Sequence, residues 1–278
     1  MIKSILVSVD GSIYTESTLR NAIHLAKAFN ARVRVLSVVD ARTFEWAMSV
    51  GADAFVPIIP SALYLEETKN LQQQKSDMVL KKSQAVLRES GIQFTLHKEV
   101  GSPTDVISEY VRTADLLVMG ARGEFAAWKS KSIGATLDFV SRQIHKPILI
   151  VSKEFVAMRK ILAAYDGSDT GNSALSLAGY FANRLKLPIM VINVSTRADE
   201  AGRILDEAEK YLANYDVSCE KKHLQGSPEN KICEFAQDHA YDLIVMGAYG
   251  HSRIREAILG STTQTVMRKA QMPVLLAK

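Results

Sequence analysis

The stretch "DLIVMGAYG", Asp242 to Gly250, repeats "DLLVMGARG", Asp115 to Gly123, with two positions changed. Working outward from this pair finds three more, in the same order. "VSVDGS" at 7–12 returns as "AAYDGS" at 163–168, "GSPTDVISEY" at 101–110 as "GSPENKICEF" at 226–235, and "HKPILIVSK" at 145–153 as "QMPVLLAK" at 271–278. Repeated segments in a fixed order mark a duplicated domain. The 278 residues have room for two domains of ordinary size. The seam falls near "KEFVAMRK", so the expected domains are residues 1–153 and 160–278.

Within each half, short runs of Val, Ile and Leu alternate with helical patterns, as expected for parallel strands joined by crossover helices. The first half offers "IKSILVSVD", "RVRVLSVV", "IQFTLHKEV", "DLLVMG" and "PILIVS". The helix after the first strand should bury Leu19, Ala22, Ile23 and Ala26; its counterpart should bury Ala174, Leu175, Ala178, Phe181 and Leu185. The expected fold is α/β: two tandem doubly wound parallel sheets of five strands each, Rossmann-like, in the order 3-2-1-4-5. That order leaves the apolar final strands "PILIVS" and "PVLLAK" at sheet edges, where unpaired backbone invites a partner strand. The two edges are expected to meet across a pseudo-twofold axis.

Apolar residues at 47% and charged residues at 23% are ordinary for a globular protein and exclude a disordered chain. The net charge of +4 is spread among acidic residues, without a stripe that would suit nucleic acid or a membrane surface. No apolar run reaches the ~18 residues of a membrane span. "MIKSILVSVDGS" enters a strand pattern without a cleavage signal, so a cytoplasmic location is expected. Cys219 and Cys233 lack metal or redox spacing and read as packing thiols.

The offset between matching residues falls from 156 at Asp10 and Asp166 to 125 at Gly101 and Gly226, so the first half carries 31 additional residues. They include the apolar, proline-marked segment 44–68. It either covers the sheet and leads into a long helix, or forms a lid or partner surface.

Gly247 closes a strand, Gly250 lies in the following loop, and Gly260-Ser261-Thr262 opens the last helix. Strand, glycine loop and helix start in that order make an anion site. Bare backbone lets N–H groups approach phosphate oxygens, and the helix dipole favours negative charge there. Ser261 or Thr262 adds a hydroxyl donor or caps the helix. In a doubly wound sheet the crevice lies where strand order reverses, which brings Asp166 opposite Gly247. A carboxylate beside phosphates binds a metal or faces base or ribose; the alternative for Asp166 is an Asx turn in "DGSDT".

The pattern G-x2-G-x9-G-S at Gly247, Gly250, Gly260 and Ser261, with Asp-Gly-Ser after the first strand and the "PVLLAK" end, resembles the universal stress protein family, and the whole chain resembles its tandem members. The resemblance implies an adenine-nucleotide-binding fold, usually dimeric. It implies adenine and ribose contacts from Asp166 and the backbone around Val194, and counts Met246 among the nucleotide-binding residues. Phosphate contacts are implied for Gly247, Gly250, Gly260, Ser261 and Thr262, with His251 and Arg253 in the same loop. ATP is the expected ligand, with AMP or another adenine nucleotide as the alternative, and Mg²⁺ would accompany ATP, with Asp166 as its candidate ligand. An intramolecular pseudo-dimer is implied, and a homodimer is a further option.

The first half departs from this pattern: ten residues separate Gly123 from Gly134, Ala135 replaces the hydroxyl residue, and Glu124 stands where the second half has His251. Its candidate residues are Asp10, Val38, Gly120, Gly123 and Gly134, with Ser130, Ser132 or Thr136 as substitute donors. A weaker or empty site is expected there. No P-loop, GxGxxG, HExxH or nucleophile elbow occurs, so a regulatory or protective nucleotide-binding stress protein is expected rather than an enzyme. The alternatives are a slow ATP-hydrolysing enzyme and a nucleotide-independent interaction module.

Overall fold

The alternation of buried side chains along the strands decides the architecture. In β1 (Ser4–Ser8), Ile5 and Val7 join one apolar core while Leu6 joins another, and β9 (Leu243–Gly247) divides Val245 from Ile244 and Met246 in the same way. Both faces of these strands are therefore covered by helices, as parallel strands require. A computed structural model describes residues 1–40, 62–123, 133–249 and 259–278.

The remaining strands are β2 (Arg32–Asp40), β3 (Phe94–Gly101), β4 (Leu116–Gly120), β5 (Ile148–Val151), β6 (Ile161–Ala164), β7 (Ile189–Val194), β8 (Cys219–Leu224) and β10 (Val274–Ala277). All ten form one sheet in the order β3-β2-β1-β4-β5-β10-β9-β6-β7-β8. Each half thus has the expected 3-2-1-4-5 order.

On one face lie α1 (Thr15–Phe29), α2 (Ala62–Ser90), α5 (Asp169–Leu185) and α6 (Ala198–Leu212). On the other lie α3 (Pro103–Val111), α4 (Ala135–Gln143), α7 (Pro228–Asp238) and α8 (Ser261–Lys269). Leu19, Ala22 and Ala26 are buried as their spacing predicts, and so are Ala174, Leu175, Ala178 and Phe181; Ile23 and Leu185 pack at the margin.

The halves join where β5 and β10 pair antiparallel, Leu149 opposite Leu275, Ile148 opposite Leu276 and Ile150 opposite Val274. In the repeat, Leu149 corresponds to Leu275, Ile148 to Val274 and Ile150 to Leu276. Exchanging counterparts turns the pair Ile148–Leu276 into Val274–Ile150 and the pair Leu149–Leu275 into itself, the register that a twofold axis between Leu149 and Leu275 demands. Beside this seam the Phe29 and Phe181 rings meet edge-on at 4.9 Å, both fully buried, and Tyr180 Oη accepts from the Ile2 amide at 3.2 Å. Such an aromatic pair is worth about 1 kcal/mol beyond its buried area.

The extra residues of the first half end in the 29-residue helix α2, packed on β2 and β3. The preceding residues 41–61, with most of the segment considered for a lid, lie outside the described residues. Cys219 and Cys233 are free and half-buried, and burial pushes both thiols up. Among the described residues no helix is long and apolar enough to cross a membrane.

Candidate functional site

The Asp-Gly-Ser turns after β1 and β6 are built alike. The Asp10 carboxylate accepts from the Ser12 amide at 2.9 Å, and Asp166 accepts from the Ser168 amide at 3.0 Å and its hydroxyl at 2.6 Å. Gly11 and Gly167 take φ of +80° and +78°, a region glycine enters without the Cβ penalty. The Asx turn considered for Asp166 is therefore present. At Asp10 only Oδ1 closes the turn; Oδ2 faces Gly123, 3.0 Å from where a Cβ would stand.

The carboxyl ends of β1 and β4 open a cavity of about 540 Å³ in the first half. Asp10, Val38, Gly120, Gly123 and Gly134 all line it. Gly134 is the N-cap of α4 with no side-chain cap, so the first amides of the helix lie on the cavity wall at Ala135, Thr136 and Leu137. Its own amide donates to Ala121 O at 3.1 Å, which folds the helix start back onto the glycine loop. A Cβ on Gly134 would lie 3.2 Å from Arg122 Cα and 3.4 Å from Gly123 N. Helix α2 supplies a wall that sequence reading missed: Gln72, Lys75 and Ser76 reach the cavity, and Ser76 donates to Ser37 Oγ at 2.8 Å.

The second half repeats the backbone. Gly260 caps α8 without a side-chain cap, and its amide donates to Ala248 O at 3.3 Å. Ser261 is exposed and Thr262 half-buried, neither capping the helix. Instead Thr263, unremarked in the sequence, is buried and donates to Gly247 O at 3.2 Å and Ala248 O at 3.1 Å. Met246 is buried at the end of β9, and Val194 ends β7 half-buried. Gly250, His251 and Arg253 lie outside the described residues, as do Glu124, Ser130 and Ser132.

Gly120 and Gly247 have a duty the motif reading overlooked. A Cβ on Gly120 would stand 2.6 Å from Tyr14 Cβ, and one on Gly247 would stand 2.6 Å from Thr170 Oγ1 and 2.9 Å from Gly171 N. These glycines let the first helix of each half press on the strand end. Thr170 then donates to Tyr249 O, tying that helix to the second glycine loop.

Where the halves meet, Lys278 crosses the seam. Its ammonium donates to Ser141 O in the last turn of α4, lies 3.3 Å from Tyr249 Oη, and sits 4.9 Å from the Tyr249 ring centroid. A cation suits a helix C-terminus. Burial nevertheless pushes its pKa down to about 8.

The model of the Universal stress protein family matches residues 1–152 and 195–278. The chain belongs to the universal stress protein family. This universal stress protein is 32% identical over 285 residues to universal stress protein Slr1230 of Synechocystis sp., covering 99% of each chain. It is 23% identical over 306 residues to universal stress protein Mb2019 of Mycobacterium bovis, covering 99% of this chain and 94% of that one. Among solved structures it resembles a universal stress protein from Archaeoglobus fulgidus, at a TM-score of 0.73 and 20% identity, covering 99% of this chain and 98% of that one. The tandem fold is thus shared along the whole length.

Proposed function

We propose that this universal stress protein binds an adenine nucleotide, ATP in the first place, in the crevices at the carboxyl ends of its two half-sheets, and that occupancy serves regulation rather than turnover. The observation that carries the reading is the 540 Å³ cavity of the first half, which runs from Asp10 and Val38 to the uncapped start of α4. Its size suits a small ligand. Its lining differs along its length as a nucleotide does: strand-end backbone around Val38 on one side, and bare glycine backbone with a helix N-terminus on the other, where the Asp10 carboxylate faces Gly123. Asp166, Val194, Met246, Gly247 and Gly260-Ser261-Thr262 would supply the same frame in the second half, and the sequence motif adds Gly250, His251 and Arg253.

The donor set suits phosphates better than a resident metal. Among the described residues no three His, Cys, Asp or Glu side chains gather to hold an ion. Mg²⁺ would arrive with ATP and draw on Asp166 or Asp10 together with phosphate oxygens. For regulation, the supporting feature is α4, which starts at the first crevice and ends on Lys278, itself against Tyr249 of the second glycine loop.

Calorimetry with ATP tests the assignment. Micromolar affinity needs about 8 kcal/mol, within reach of several charge-assisted hydrogen bonds and a buried base. Gly134→Val and Gly260→Val should each weaken one site at least about tenfold, by filling the space before a helix start. A double variant that binds ATP like the parent would sink the assignment.

A further inference from the structure

The pseudo-twofold axis makes two seams of one design, and they are filled differently. In one, Lys278 extends between Tyr249 and the last turn of α4. In the other, the repeat places Ser152 where Lys278 stands and Arg122 where Tyr249 stands, facing the last turn of α8. The short serine does not fill the space. A cavity of about 230 Å³ remains, lined by Tyr14, Arg122, Ser152 and Lys153 from the first half and by Arg268 and Gln271 from the second, among others.

Among the described residues three cations border this cavity and no carboxylate does. None of Arg122, Lys153 and Arg268 forms an ion pair among the described residues. Arg268 has an ordinary duty as a last-turn cation on α8. That duty does not account for Arg122, which comes from the opposite glycine loop, or for Lys153. Lys153 and Arg268 are exposed and Arg122 half-buried, so water screens much of their mutual repulsion, and an anion placed among the three would be attracted by all of them. Arginine, with its fork of N–H donors, is suited to phosphate oxygens. Tyr14, Arg122 and Ile133 also line the 540 Å³ crevice, so the two cavities share a wall at its glycine-loop end.

We propose that this seam cavity is a phosphate subsite of the first crevice, taking the distal phosphates of the nucleotide bound there, so that the second half completes the first half's site through Arg268. The subsite rests on the nucleotide reading above. It makes the first crevice select nucleotides by phosphate number, and it offsets the donor that Ala135 removed from the helix start.

The test uses the full chain and photolabelling by 8-azido-ATP and 8-azido-AMP, with labelled first-half peptides identified by mass. Arg268→Gln should reduce the preference for the triphosphate over the monophosphate at those peptides about tenfold, the loss of one charge-assisted contact. Arg268→Lys should restore part of it, and Arg184→Gln, an equal charge change on α5, should not alter it. An unchanged preference in Arg268→Gln overturns the subsite and leaves the nucleotide reading standing; no labelling of the first half by either probe removes both. Inorganic tripolyphosphate protecting Lys153 from acetylation at lower concentrations than ATP would also overturn it, because the seam would then serve free polyphosphate.

Discussion

The two halves keep the same backbone where sterics demand it and diverge where charge decides. Both have the Asp-Gly-Ser turn, the glycine under the first helix and the glycine before the last. Around that frame, Asp138 and its partner Arg142, 2.9 Å away, stand in the first half where Gln264 and Arg268 stand in the second. Ser152 answers Lys278, and Arg122 answers Tyr249. A backbone approach of under 3 Å leaves no room for drift, whereas a side chain at a seam can change without moving a strand. Duplication therefore yields two backbone frames of one design with different surroundings.

The steric part of this comparison predicts the largest effects. Gly120→Val and Gly247→Val should each destabilise the protein by at least about 3 kcal/mol, because the new side chain meets Tyr14 or the Thr170–Gly171 backbone and the first helix must move. Urea unfolding would check this. Similar losses at both sites would confirm that packing sets these glycines; a loss at only one would break the equivalence of the halves.

Lys278 sharpens the comparison of seams. Its folded pKa, about 8, lies below the ordinary lysine value, so between the two the unfolded chain binds more protons and unfolding free energy rises with pH. Relative to Lys278→Met, the parent should gain roughly 2–3 kcal/mol between pH 7.5 and 10.5. A flat difference in parallel denaturation series would mean that the Ser141 carbonyl and the Tyr249 ring fully compensate the buried charge.

A smaller effect is expected at Asn21, the counterpart of Leu177. Asn21 is fully buried, its Nδ2 donates to Ser17 O at 2.9 Å, and its Oδ1 finds no partner among the described residues. Asn21→Leu should stabilise the chain by about 1 kcal/mol, seen as a higher melting temperature. A lower one would show that the amide holds α1 in place.

Much of the fold was legible because repeats and periodicity are local signals. Strands such as "RVRVLSVV" appear within a residue of their predicted place, and the apolar edges "PILIVS" and "PVLLAK" announced their own pairing. The site was legible only in its backbone. Gly247 read as a phosphate glycine because its contact with Thr170 joins residues far apart in sequence. Thr263 was hidden behind Ser261 and Thr262, which the motif favours. The part of α2 that walls the crevice answers α6, Val79 meeting Gly11 as Ile204 meets Gly167, but Ser76 stands where the repeat has Ala201, so comparing the halves did not mark it as a crevice residue. Lys278 carried no signal in the sequence, since only the seam buries it.

The pairing of β5 with β10 also bears on how the chain is made. About 120 residues separate the two strands, and at 5–20 residues per second a ribosome takes on the order of ten seconds to deliver the second. Throughout that interval Ile148–Val151 is a finished apolar strand without its neighbour, on a first half otherwise able to fold. Neighbouring nascent chains on one messenger then carry identical open edges, each able to take the place reserved for β10. Translation that stalls before Val274 would leave such an edge permanently bare, and those shortened products, more than the complete chain, would call on chaperones and proteases.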